Sequence, residues 1–213
     1  MSQVILDLSA NTFKNDFSYV IQMMDEIKAI DTGKHQIIFK TQLFKSAPPN
    51  IPLDWSVFDS MYHYGKNLGY QVTSSVFDKG SLDFLLQYDV PMIKIANNRK
   101  LYYLIGETPR RIPIYVSVDD CHICADITYD EWVYRDNIIP LVCVSNYPAT
   151  MSEYSYKFSE HQLKYAVSDH TSDWFLFKTY QPRILEVHYK LPDSQGLDAG
   201  SFSRTPSMLK EIL

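Results

Sequence analysis

Short runs of apolar residues, some alternating with polar ones and some unbroken, recur along the chain. They lie at Val4–Leu8, Gln36–Phe39, Gln71–Ser74, Met92–Ile95, Ile112–Ser117, Ile139–Val144, Tyr165–Ser168 and Ile184–Tyr189. Each is four to six residues long and rich in β-branched or aromatic side chains, which predicts a strand rather than a helix. Between most of them the period lengthens. Over Asp16–Ile30 the apolar positions Phe17, Val20, Ile21, Met24, Ile27 and Ile30 recur at spacings of three and four, the signature of an amphipathic helix. Leu53–Leu68 reads the same way, with Asp54 as its N-cap. Ser81–Gln87 and Pro206–Leu213 are shorter candidates, and Asp119–Asn137 has no clear period.

Eight strands interleaved with helices imply right-handed βαβ crossovers and a parallel sheet. A closed (β/α)8 TIM barrel fits the count; such barrels typically take about 250 residues, with a lower end near 200. At 213 residues this would be a compact α/β barrel with short loops, occupying residues 1–213 as one domain. An open doubly wound sheet is the competitor. No Gly-x-Gly-x-x-Gly follows any of the strands, however, and the chain has only seven glycines.

Composition narrows the function classes. The apolar fraction of 46% supports a buried core, while a net charge of −5 and a pI near 5.6 argue against a nucleic-acid partner. No run approaches the length of a membrane span, and the first residues carry no secretory signal pattern. Three cysteines are too few, and odd in number, for a disulfide framework, so a reducing cytoplasm is expected. Cys121 and Cys124 form a Cys-x-x-Cys around His122, but the remaining Cys143 sits in an apolar run. A four-ligand structural zinc is therefore not expected there.

In a barrel, polar residues at the C-terminal strand ends share one mouth. In order these are Asp7, Ser9 and Asn11; Lys40 and Gln42; Ser75 and Phe77; Lys94 and Asn97; Ser117; Ser145 and Tyr147; Ser168 and His170; and Glu186 and His188. Two histidines at the ends of successive strands can converge on one metal ion. Glu186, inside an apolar strand, needs a cationic partner such as Lys40 or Lys94. Two lysines, several hydroxyls and two imidazoles suit a small, highly anionic substrate beside a metal.

These segments also carry a resemblance. Phe39-Lys40-Thr41-Gln42, Ser74-Ser75-Val76-Phe77-Asp78 with Leu82-Asp83-Phe84-Leu85, and Val90-Pro91-Met92-Ile93-Lys94-Ile95-Ala96 occur in that order. Cys143-Val144-Ser145-Asn146-Tyr147-Pro148, Ser168-Asp169-His170-Thr171, Glu186-Val187-His188 and Gly196-Leu197-Asp198 follow. In this order the chain resembles, from Val4 to Leu213, the catalytic barrel of the sialic acid synthases and their legionaminic and pseudaminic relatives.

The resemblance implies a phosphoenolpyruvate-dependent, C–C bond-forming transferase. It would condense phosphoenolpyruvate with an N-acetylated amino-sugar aldehyde, releasing phosphate and giving a nine-carbon 2-keto acid. His170 and His188 would hold a divalent cation, manganese first, with magnesium or cobalt as alternatives. Lys40 and Lys94 would neutralise phosphoenolpyruvate. Ser75, Asn97 and Ser117 would bind its phosphate, and Ser145 and Ser168 its carboxylate side. Gln42, Tyr147 and Asp198 would contact the sugar, with Phe77 lining the same pocket. Asp7 and Glu186 complete the catalytic set, Asp7 standing where the family carries a glutamate.

Asn97 replaces the family's serine, Arg99 its acidic residue, and Val118-Asp119-Asp120 its Thr-Gly-Met. Family members also carry a C-terminal antifreeze-like domain, absent from this sequence, that donates an arginine across a dimer. The mouth is therefore expected to be open, or covered by a homodimer mate or another partner chain. The competing expectation is a barrel kept for binding or assembly, without turnover.

Overall fold

The computed structural model describes residues 2–43, 48–119 and 135–213. Eight parallel strands follow one another around a closed barrel. They are β1 (Gln3–Asp7), β2 (Gln36–Leu43), β3 (Gln71–Val76), β4 (Ile93–Ile95), β5 (Ile114–Val118), β6 (Ile138–Cys143), β7 (Ala166–Asp169) and β8 (Ile184–His188). β8 pairs with β1, which rules out the open sheet and gives the (β/α)8 barrel predicted from the pattern.

β2 and β3 run past their apolar stretches, to Leu43 and Val76. Their polar ends remain strand because the side chains either line the barrel mouth or pair across the ladder. Thr41 Oγ1, fully buried, donates to Ser74 Oγ at 3.1 Å. The helix over Phe17–Ile30 is N-capped by Asp16, whose carboxylate accepts from Ser18 N, and it buries Val20, Met23, Met24 and Ile27. The helix at Trp55–Asn67 has Asp54 in the expected cap. Gly65 lets this helix lie close to β3, since a Cβ there would stand 2.5 Å from Val72 and 2.8 Å from Met24.

Pro206–Leu209 is shorter than the run Pro206–Leu213 suggested, although Ile212 and Leu213 are still buried. Helices at Ala10–Phe13, Tyr103–Glu107, Met151–Lys157, Glu160–Tyr165 and Phe175–Tyr180 are too short to display an apolar period. Two of them carry capping boxes, Thr150 with Glu153 and Ser159 with Gln162. Most of the Asp119–Asn137 interval, with Cys121, His122 and Cys124, lies outside the described residues. No described helix is long and apolar enough to cross a membrane.

The outward strand faces and the helices form one apolar shell. Inside the barrel a second, smaller cluster of Ile5, Ile38, Met92, Tyr115, Leu141, Ala166 and Ile184 makes a floor. Because strand side chains alternate, the residue two positions on from each floor residue faces the next layer up. That step leads from Ile5 to Asp7, Ile38 to Lys40, Met92 to Lys94, Tyr115 to Ser117, Leu141 to Cys143, Ala166 to Ser168 and Ile184 to Glu186. An apolar floor thus supports a polar layer at the C-terminal end of the barrel.

Candidate active site

The polar layer and the residues above it enclose a cavity of about 200 Å³. Its lining takes in every residue expected there from the sequence except Ser9, Asn11 and Asp198, together with Ala96 and Cys143. Asp198 stands beside the cavity, with Oδ1 3.5 Å from His188 Nδ1 and Oδ2 accepting from Asn11 Nδ2 at 2.7 Å. Gly196 makes that approach feasible: its φ is +117°, and a Cβ would lie 2.1 Å from the Asn11 carbonyl oxygen. Ser9 does not face the cavity; it caps the Ala10–Phe13 helix. Cys143 was missed by chemistry but was visible by spacing, two positions from Leu141 on the inward face. Burial pushes its thiol up to about 12, so it is a neutral, packed group at neutral pH.

At the centre, register sets Asp7 beside both Lys40 and His188. Lys40 Nζ lies 2.7 Å from Asp7 Oδ2 and 3.8 Å from Glu186 Oε2, and Lys94 Nζ lies 3.6 Å from Glu186 Oε1. Gln42 Nε2 also donates to Asp7 Oδ2, at 2.8 Å. Burial works against the charge of Glu186, but Lys40, Lys94 and the Ser168 hydroxyl outweigh it and hold the carboxyl at about 2. Burial likewise opposes the Lys40 charge, yet Asp7 and Glu186 raise its pKa; Lys94, buried and repelled by Lys40, is lowered. The group is a compensated set of two cations and two anions.

Each lysine also donates to a serine, Lys40 to Ser75 Oγ at 3.1 Å and Lys94 to Ser117 Oγ at 2.5 Å. A hydroxyl that accepts from an ammonium keeps its own proton for another acceptor. Ser75 and Ser117 are therefore set to donate to an anion. At the rim Asn97 Nδ2 donates to Ser145 Oγ at 3.1 Å, and Ser145 N donates to Asp119 Oδ2 at 2.9 Å. Asp119, paired with Lys157, so fixes a cavity residue from outside the cavity.

The two histidine rings lie 5.5 Å apart. Burial and the neighbouring His188 bring the His170 pKa down to about 3, so the ring is neutral. Its Nδ1 stands 2.6 Å from the Val144 carbonyl oxygen, which requires the proton on Nδ1 and leaves Nε2 with a free lone pair. Ser168 Oγ, 3.2 Å from that nitrogen, gives its proton to Glu186 Oε1 at 2.8 Å. Two lone pairs then face each other, a contact that an intervening cation or proton donor would relieve. His188 Nδ1 is buried without a hydrogen-bond partner, as are Asp7 Oδ1 and Glu186 Oε2. Tyr147 stacks on His170 at 4.2 Å and meets His188 edge-on at 5.8 Å. Among the described residues no three His, Cys, Asp or Glu side chains are placed to hold a metal ion by themselves.

Known proteins share this architecture. N-acetylneuraminic acid synthetase from Leptospira borgpetersenii superposes with a TM-score of 0.72 at 17% identity, over 99% of this chain and 80% of that one. The spore coat polysaccharide biosynthesis protein spsE of Bacillus subtilis gives 0.71 at 16% identity, over 99% and 65% of the two chains. At these identities the likeness establishes the fold. In sequence, the chain is 26% identical over 165 residues to N,N'-diacetyllegionaminic acid synthase of Legionella pneumophila, an alignment covering 66% of this chain and 46% of that protein. The chain thus matches about half the length of that relative. The NeuB family model matches residues 31–213, a span holding every strand but β1 and every cavity residue but Asp7, and on that match the chain belongs to the NeuB family.

Proposed function

We propose that this barrel condenses phosphoenolpyruvate with an N-acetylated amino-sugar aldehyde, forming a nine-carbon 2-keto acid and releasing phosphate. The observation that carries the reading is the pairing of Lys40 and Lys94 with Ser75 and Ser117 at the base of a cavity that is also lined by the imidazoles of His170 and His188. Membership of the NeuB family and the similarity to a legionaminic acid synthase support the substrate class.

In this reading the phosphate of phosphoenolpyruvate takes the Ser75 and Ser117 hydroxyls and the rim amide of Asn97. Its carboxylate lies toward Ser145 and Ser168. Gln42, Tyr147 and Asp198 address the aldose, with Phe77 as an apolar wall. The enol carbon attacks the aldehyde carbon, the aldehyde oxygen gains a proton, and water adds at C2 as the phosphate leaves. Asp7 is the residue assigned to those proton transfers, since Oδ1 has no hydrogen-bond partner and Oδ2 is held by Lys40 and Gln42.

His170 and His188 would hold a divalent cation, manganese before magnesium or cobalt. The Nε2 lone pair of His170, left facing Ser168 Oγ, and the Nδ1 of His188, which has no hydrogen-bond partner, support this. Such an ion supplies Lewis-acid polarisation of the aldehyde oxygen. It would also add positive charge to a cavity whose lysines are already compensated.

The test is an assay of purified protein with phosphoenolpyruvate, Mn2+ and a panel of N-acylated aldoses, N-acetylmannosamine included. Aldose-dependent release of phosphate matched by 2-keto acid, and lost in His188→Ala, is expected. Silence across the panel with phosphoenolpyruvate bound would favour a barrel that binds without turnover, or one completed by a homodimer mate or partner chain.

A further inference from the structure

The residues that hold the two histidines do not lie on the histidine-bearing strands alone. After β8 the chain folds back over the barrel end, and Arg204 forms a parallel bridge with Tyr189. The Arg204 backbone N–H donates to the His188 carbonyl at 2.8 Å, and Lys190 N donates to the Arg204 carbonyl at 2.9 Å. The Arg204 side chain, fully buried, extends the other way into the segment following β7. Its Nη1 donates to the carbonyl of Thr171 at 2.6 Å and to that of Phe202 at 3.1 Å. Its Nη2 donates to the Asp173 carbonyl at 2.6 Å, to Asp169 Oδ2 at 3.2 Å and to Thr171 Oγ1 at 3.3 Å. The guanidinium also lies 4.6 Å from the Trp174 ring centroid.

His170 sits inside the loop so gripped, between Asp169 and Thr171. Two residues before Arg204, the Phe202 ring stands 5.1 Å from His188 and 5.0 Å from Tyr147, the ring that stacks on His170.

We propose that Arg204 is the positioning residue of the histidine pair. Its main chain fixes the β8 end that carries His188, and its guanidinium fixes the loop that carries His170, so one residue sets the spacing between the rings. The inference rests on the metal reading above only for its affinity readout. A lysine cannot substitute. Three backbone carbonyls and a carboxylate are met by a planar fork, and an ammonium on a flexible stem is a point charge that does not reproduce it. Nor is the ion pair explained by stability alone, because buried pairs of this kind can often be replaced by apolar groups at little cost.

Two variants test this. Arg204→Lys keeps the charge and loses the fork; the double variant Asp169→Asn with Arg204→Met removes both charges, so no unpaired ion is left in the core. Thermal unfolding establishes that each folds. Nitrogen-15 spectra of the imidazoles are then recorded without metal, and Co2+ alone is titrated by its visible absorption.

The wild type is expected to show His170 as a single tautomer protonated on Nδ1. Folded variants are expected to show averaged tautomers and Co2+ affinity lowered by about 10- to 100-fold, as for other outer contacts to metal ligands. Folded variants with the wild-type ring spectrum and unchanged Co2+ affinity would overturn the proposal. If the wild type binds no Co2+, the metal reading fails, while the ring spectra still decide whether Arg204 sets the histidines.

Discussion

Glu186 is the carboxylate on which both lysines depend. With its folded pKa near 2, against an ordinary value of about 4.3, it stabilises the fold fully above the unfolded value. That contribution is lost as pH falls from there toward 2. Replacing Glu186 by Gln leaves Lys40 paired with Asp7 but removes the carboxylate that pairs with Lys94, and it is expected to cost about 3–5 kcal/mol at neutral pH. Because the variant has no such proton to take up, the two stability curves should converge on acidification. Denaturant unfolding of both proteins from pH 7 to pH 2 checks this. Parallel curves would mean that Glu186 is not held ionised by the lysines. At this scale much was legible: Glu186 in an apolar strand demanded a cation, and the lysines two steps above the floor supplied it. Arg204 was not legible, because its partner Asp169 is 35 positions away and neither lies in a periodic pattern.

At the level of elements, strands announced themselves through short apolar runs. Their ends did not, since β2 and β3 continue into the polar residues that build the site. The short helices were hidden for a different reason: with four to seven residues they show no apolar stripe, and capping side chains mark three of them, Ala10–Phe13, Met151–Lys157 and Glu160–Tyr165. The turn at Gly196 shows how a connecting element positions chemistry. A side chain there would collide with the Asn11 carbonyl and separate Asn11 from Asp198. Gly196→Ala is expected to destabilise by about 1–3 kcal/mol. It should raise KM for the aldose while leaving phosphoenolpyruvate affinity unchanged. An unaltered KM for the aldose would remove Asp198 from the sugar site.

For the molecule as a whole, the closed barrel brings eight strand ends, spread over nearly the entire sequence, to one cavity. The charge balance was only half legible in the sequence. A lysine partner for Glu186 was expected, but register and burial add that Asp7 also pairs with Lys40, so the lysines expected to await an anion are already compensated. In the proposed reaction, binding phosphoenolpyruvate would call for additional positive charge, and the histidine pair is where a divalent ion would provide it.

The most direct measurement follows phosphoenolpyruvate labelled with carbon-13 at C3 by NMR, with an N-acylated aldose, in the presence and absence of Mn2+. The account predicts that the vinylic label becomes a saturated methylene, in step with phosphate release, only when both aldose and Mn2+ are present. Bound phosphoenolpyruvate with an unchanged label, or phosphate release without the aldose, would contradict it.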